Sequence, residues 1–158
     1  MTLSLPSRTV ADSKTRMTEI VLPEDTNYRG SIFGGRVLAL VDKCAAVVAI
    51  RHARSDVLTV SLDSVTFRNP VRVGQILILR GWINAAFRTS MEIEVEVLAE
   101  QPTTGETCST TRAFVTMVAI DEEGRPREVP KLAASGEEES RREREAKARR
   151  SRRIEQRD

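Results

Sequence analysis

Asp42 is a carboxylate in a stretch that otherwise reads as the buried side of a helix. From Gly35 onward Val37, Val41, Cys44 and Val48 recur at helical spacing, and Leu38, Leu40, Val47 and Ile50 widen the stripe. A carboxylate there is costly unless something compensates it, so its presence asks for a chemical reason. Two further features stand nearby. Gly34 and Gly35 fall at the predicted start of the helix, where backbone N–H groups are unpaired and the positive end of the helix dipole lies. Asn27, in the preceding loop, offers a donor and an acceptor on one short side chain. A carboxylate that takes a proton from water or attacks directly, N–H groups that polarise a carbonyl, and an amide that orients one of them would together cleave an acyl bond without a serine or a metal.

The elements that must position these groups follow from pattern. After a loose N-terminal arm, residues 1 to 15, a short strand runs from Met17 to Pro23. The loop from Glu24 leads into a helix from about Phe33 or Gly34 to about His52. Residues 57 to 67 read as a strand whose apolar phase changes, since Val60 and Leu62 share one parity and Val65 and Phe67 the other. One extra residue near Asp63 or Ser64, a bulge, would cause that. Residues 75 to 83 are an almost continuous apolar strand. In residues 90 to 100 Met91, Ile93, Val95 and Val97 alternate with Glu92, Glu94 and Glu96, which predicts the glutamates on the outer side. Residues 107 to 121 form the last long strand. Short connections favour an antiparallel sheet, and a single long apolar helix is buried when that sheet curves around it, an α+β arrangement. An uncovered edge strand invites a second copy, so at least a dimer is expected.

Composition excludes several classes. Histidine occurs once, as His52, which rules out multi-histidine metal sites and disfavours histidine-based triads; at the helix end a capping or solvated role is its expected one. Cys44 and Cys108 lie far apart and both read as small core hydrophobes. From Glu137 to Asp158 there are 9 Lys and Arg against 7 Asp and Glu, a net of +2 that equals the net charge of the chain. The remainder is therefore neutral, and no basic nucleic-acid-binding body is indicated. Residues 134 to 158 carry Ile154 as their one large apolar residue after Leu132 and are expected to form a solvated helix with i, i+4 pairs, or to be disordered, apart from any binding site. No apolar run is long enough to cross a membrane and no signal peptide is evident, so a cytoplasmic protein is expected.

The residues Asn27, Gly30, Phe33, Gly34, Gly35, Leu38 and Asp42 fit the pattern N-x-x-G-x-x-F-G-G-x-x-L-x-x-x-D in one continuous window. With "TVSLDSVTFRNPVRVGQ", "RTSMEIEVEV" and "FVTMVAIDEEGRPREVP", that window resembles the hotdog-fold acyl-CoA thioesterases of the acyl-CoA hydrolase type. The resemblance covers roughly residues 17 to 132, within a domain drawn at 16 to 133. It implies hydrolysis of acyl-CoA thioesters, with Asn27 and Asp42 catalytic and facing each other across a dimer interface. It further implies substrate binding at Phe33, Gly34 and Gly35, and dimers that assemble as trimers of dimers. Arg88, Thr89 and Ser90 match a stretch near the family's CoA-binding region, although Phe87 stands where glycine is usual; Arg68 is a further candidate for a CoA phosphate. No cofactor is expected, CoA being part of substrate and product. The competing class is a non-catalytic acyl-CoA sensor or structural subunit of the same fold, which would bind the ligand without turnover.

Overall fold

The computed structural model describes residues 4–157. Its strands are β1 (Arg8–Thr9), β2 (Thr15–Ile20), β3 (Asp56–Phe67), β4 (Ile76–Ala86), β5 (Ser90–Glu100), β6 (Thr107–Ile120) and β7 (Leu132–Ala133). Two long helices, α1 (Gly34–Ala53) and α2 (Gly136–Glu155), complete the chain. A five-stranded antiparallel sheet in the order β2-β4-β5-β6-β3 packs one face on α1. Met91, Ile93, Val95 and Val97 on β5, with Val115 and Met117 on β6, meet Val41, Cys44 and Val48 of α1 in one buried cluster. Closest approach falls at Gly81 on β4. A Cβ placed there would lie 2.9 Å from Cys44 Sγ and 3.0 Å from Val48 Cγ2, so only glycine lets helix and sheet meet at this distance. Burial in that contact pushes the Cys44 thiol up to about 11, which keeps it neutral and inert.

The expected irregularity in β3 is present, with a register shift between Asp63 and Thr66 and Ser64 at φ 54°. A second shift lies between Thr59 and Ser61. β3 is an edge strand, and Leu58, Val60 and Leu62 are exposed along it.

Four expectations need correction. The N-terminal arm is not loose throughout, because β1 pairs in parallel with β7 and Val10 is buried beside it. His52 is neither a cap nor solvated; it is fully buried and donates from Nε2 to the Pro130 carbonyl at 2.7 Å, pinning the segment before β7 to the end of α1. Cys108 is exposed, on the part of β6 that precedes Thr111, the end of its pairing with β3. The C-terminal segment is helical with the anticipated i, i+4 ion pairs, yet it is not solvated all round. α2 lies across the outer face of the sheet on β4 and buries Ala146. The covering is made by arginines: Arg142 sits over the Trp82 ring at 4.5 Å, Arg149 over Phe114 at 3.9 Å and Arg150 over Phe87 at 4.6 Å.

Beneath α2, Glu92 and Glu94 do point to the outer side, as their parity predicts, but they are buried. Compensation is complete enough to explain why charge is tolerated there. Arg149 grips Glu92 with two bonds, Nε to Oε1 at 2.6 Å and a terminal nitrogen to Oε2 at 3.0 Å. Arg112 pairs with Glu94 at 2.7 Å. A register shift between Ile83 and Ala85 turns Asn84 onto this face, where it accepts from Trp82 Nε1 at 3.0 Å and donates to Glu94 at 2.9 Å.

Candidate active site

Helix α1 begins without a side-chain cap. Phe33 is its N-cap in extended conformation, and Arg36 and Val37 donate back to the Phe33 carbonyl at 3.0 and 3.2 Å. The N–H groups of Gly34 and Gly35 precede those bonds and lie at the positive end of a 20-residue helix. The two glycines have different surroundings. A Cβ on Gly34 would rest 3.4 Å from the Phe67 ring, whereas one on Gly35 would meet nothing within 4 Å. Gly34 thus lets Phe67 close over the helix start, and Gly35 opens to space that a ligand can enter.

The loop that delivers the chain to this point is organised by Asp25 and Asn27. Asp25 accepts from Arg36 Nε at 3.0 Å and from the Leu22 N–H at 3.0 Å, and its carbonyl accepts from the Phe33 N–H. Asn27 Oδ1 accepts from the N–H groups of Arg29 at 2.9 Å and Ser31 at 3.2 Å, which closes a tight turn through Gly30 at φ 75°. Its amide nitrogen makes no hydrogen bond among the described residues. Asn27 is therefore both a turn residue and a side chain with two donors to spare.

Asp42 is half-buried, two turns into α1. Its Oδ1 accepts a 2.6 Å hydrogen bond from Thr59 Oγ1 on β3, and the same hydroxyl lies 3.4 Å from Met117 Sδ. Thr59 did not figure among the expected site residues. Chain geometry contained the signal: from Asp42 to the end of α1 is roughly 17 Å of helix, and the turn at Arg54, in the left-handed region, sends β3 straight back, so about five strand residues retrace that length. A hydroxyl on the helix-facing parity of β3 at that depth must meet Asp42. Asn27 and Asp42 share no hydrogen bond within the described chain; both hydrogen bonds of the Asn27 side chain are to its own loop.

A groove of about 370 Å³ runs from the helix start, between Ile32, Gly34 and Val37 on one side and Phe67, Pro70 and Val71 on the other. Arg68 lies on its rim. Phe33 is exposed beside it. The other expected CoA residues stand elsewhere. The β4–β5 turn is closed by a Phe87 N–H to Ser90 carbonyl bond at 2.8 Å with no left-handed residue in it, so phenylalanine serves where glycine is usual. Arg88 faces a cleft shared with Lys131 and Lys147, and Thr89 and Ser90 line another with Arg150 and Arg153 of α2 and with Arg157 just beyond it. The expectation that the C-terminal segment keeps apart from this region is overturned, because arginine stacking on Trp82, Phe87 and Phe114 holds α2 beside it.

A sheet curved on one helix, with a glycine pair at the helix start and a carboxylate two turns in, can now be set against known proteins. The Thioesterase superfamily pattern matches residues 29–106. A Bacillus subtilis (strain 168) protein named as the uncharacterized acyl-CoA thioester hydrolase YkhA is 35% identical over 133 residues, covering 84% of this chain and 77% of that one. The chain belongs to the thioesterase superfamily. Its fold is the hotdog fold, as its resemblance to solved structures shows. The superfamily member solved as an apo-hexameric acyl-CoA thioesterase superposes with a TM-score of 0.92 at 45% identity, covering 96% of this chain and 97% of that one. A Staphylococcus aureus acyl-CoA hydrolase, solved with butyryl coenzyme A, coenzyme A and coenzyme A disulfide, gives a TM-score of 0.86 at 31% identity over 96% of this chain and 95% of that one. The S. aureus enzyme has also been solved with an aspartate, an asparagine and a threonine each replaced by alanine.

Proposed function

We propose that this thioesterase-superfamily chain hydrolyses acyl-CoA thioesters, with Asp42 as the base. The observation that carries the reading is the 2.6 Å hydrogen bond from Thr59 to Asp42 Oδ1. A hydroxyl that donates to one carboxylate oxygen fixes the plane of the group and leaves Oδ2 to accept a proton from water. The three residues altered in the S. aureus enzyme have the same types, at the same spacing along their chain, as Asn27, Asp42 and Thr59 here, which supports giving those three the chemistry.

In this mechanism the thioester carbonyl oxygen sits against the Gly34 and Gly35 N–H groups, which strengthen their hold as negative charge develops on it. Water attacks the carbonyl carbon while Asp42 takes its proton. Collapse of the tetrahedral species breaks the C–S bond, and the departing thiolate of CoA receives the proton that Asp42 took from water, leaving the carboxylic acid and an ionised Asp42. Asn27 uses its free amide donors to orient the carbonyl. The apolar groove from Gly34 to Phe67 takes the non-polar part of the substrate, and no cofactor enters the reaction.

Asn27 and Asp42 share no hydrogen bond within the described chain, and the complete site takes Asn27 from a second copy. The exposed apolar edge at Leu58, Val60 and Leu62 is the surface on which that copy pairs, and three such dimers make the hexamer. Release of free CoA thiol from a panel of acyl-CoAs tests the function. Asp42→Asn keeps the shape and removes the base, so turnover falls by roughly a hundredfold or more in an intact oligomer. Unchanged turnover in that variant sinks the assignment, and ligand binding without any thiol release in the unaltered protein makes the chain a sensor instead.

A further inference from the structure

Residues 25 to 33 fold as a small hairpin in front of α1. At its foot the Phe33 N–H donates to the Asp25 carbonyl at 3.0 Å, Thr26 then bridges to Ile32, and the Asn27 N–H donates to the Ser31 carbonyl at 2.8 Å. Asn27 stands on the first limb, next to the tip at Gly30. The limbs are supported unequally. The tip and the second limb lean on the segment before β4: the Ile32 N–H donates to the Val71 carbonyl at 2.8 Å, the Gly30 carbonyl accepts from the Val73 N–H at 3.3 Å, and the Arg29 carbonyl accepts from the Arg72 guanidinium at 2.9 Å. Among the described residues, Asp25, Thr26 and Asn27 make no hydrogen bond to that segment. The first limb is tied to α1 through the Asp25 carboxylate, which accepts from Arg36 Nε at 3.0 Å with one oxygen and from the Leu22 N–H at 3.0 Å with the other. Arg36 lies in the first turn of α1, directly after Gly35.

We propose that Asp25 is the positioning residue for Asn27, an inference that rests on Asn27 serving the reaction proposed above. Asn27 completes the site of a second copy, so it depends on its own chain for its direction, and Asp25 holds the limb two positions away. Each oxygen of the Asp25 carboxylate is already engaged, which suits a group that holds rather than one that reacts. The side chain of Asp25 is 14% exposed and that of Arg36 38%. An ion pair so open to solvent adds little to stability, whereas a misplacement of about 1 Å at a reacting group costs about a hundredfold in rate. The pair therefore matters more to where Asn27 stands than to whether the chain folds.

The experiment compares Asp25→Ala and Arg36→Met with the unaltered full chain in thiol release from a panel of acyl-CoAs. In Asp25→Ala kcat falls by about tenfold or more with KM within about threefold, and Arg36→Met shows the same split at smaller size. Arg36→Met leaves the hairpin foot and the Leu22 bond in place, so it carries the test if Asp25→Ala folds poorly; its Tm stays within about 2 °C of the unaltered value. Placed in an Asn27→Ala background, Asp25→Ala changes kcat by less than about threefold, because nothing is left to aim. Additive losses in that cycle, or kcat within about twofold of the unaltered value in both single variants, overturn the proposal. Hydrogen exchange over residues 28 to 31, read by mass spectrometry, is the measurement that needs no turnover. The Arg29 and Ser31 N–H groups bond to Asn27 Oδ1, and their exchange quickens by about tenfold in Asp25→Ala; unchanged exchange also overturns the proposal. Absence of thiol release from the unaltered protein, or full turnover in Asn27→Ala, counts against the hydrolase reading, while the exchange rates still decide the positioning.

Discussion

Replacing Arg149 with Met removes one partner of a buried ion pair while keeping most of the volume and the apolar stem. Glu92 has 1% of its side chain exposed and Arg149 18%, so the pair is shielded from solvent. Without the guanidinium, Glu92 keeps a single long contact, the Asn84 amide at 3.4 Å. Breaking a pair of this kind costs about 3–5 kcal/mol when the remaining charge stays dry. The cost has a ceiling, because α2 can lift and let water reach Glu92. The other attachments that resist lifting are the stacking of Arg142 and Arg150 and the Arg153–Asp63 pair, each of about 1 kcal/mol. We therefore expect destabilisation near 3 kcal/mol, with α2 released. For a chain of this size that lowers Tm by about 6–12 °C at fixed protein concentration. Urea denaturation of the four members of the cycle, unaltered, Arg149→Met, Glu92→Gln and both together, measures the coupling. Because the penalty is an unpaired charge, Glu92→Gln placed in the Arg149→Met background regains at least half of the loss. A shift below about 2 °C for Arg149→Met, or no recovery in the double variant, would refute the view that this pair docks the helix.

Thr59→Val removes the hydroxyl and keeps the strand's branched shape; kcat is expected to drop by about tenfold or more with KM within twofold, since in the proposed mechanism the threonine orients the base, and an unchanged kcat in thiol-release assays contradicts that role. Mixing Asn27→Ala with Asp42→Asn subunits restores activity after exchange, because each mixed dimer holds one site with both residues intact. No recovery with heterodimers confirmed by mass spectrometry would return both residues to one subunit's site. His52 is buried, and desolvation, opposed by its bond to Pro130 and assisted by Arg8, lowers its pKa below the ordinary 6.5. The unfolded chain thus takes up a proton that the folded chain resists. Stability falls as pH drops through about 6.5 and levels off below the folded value, with a slope of at most about 1.4 kcal/mol per pH unit from this group. Denaturation between pH 7 and 5 measures it, and His52→Gln flattens the slope; an equal slope in that variant rules out the histidine as its source.

What sequence determined here is what repeats at short range. Period-two alternation located β5, helical spacing located α1 within a residue or two, and the parity change in β3 located the bulge beside Ser64. The window from Asn27 to Asp42 was legible because its residues lie on one loop and the helix that follows it. Tertiary structure decided which faces are covered and by what. Glu92 and Glu94 have the outward parity of solvated residues, and a charge-dense C-terminal segment has the composition of a solvated helix, yet each hides the other. Alternation states the side a residue takes and nothing about what lies beyond it, and an arginine counted as polar covers an aromatic ring as well as a leucine does. Local pattern hides the partner of Asp42 for the same reason. Thr59 lies 17 positions away and is brought back by a helix, a turn and a returning strand whose lengths match, a relation between elements that no local pattern of residues carries.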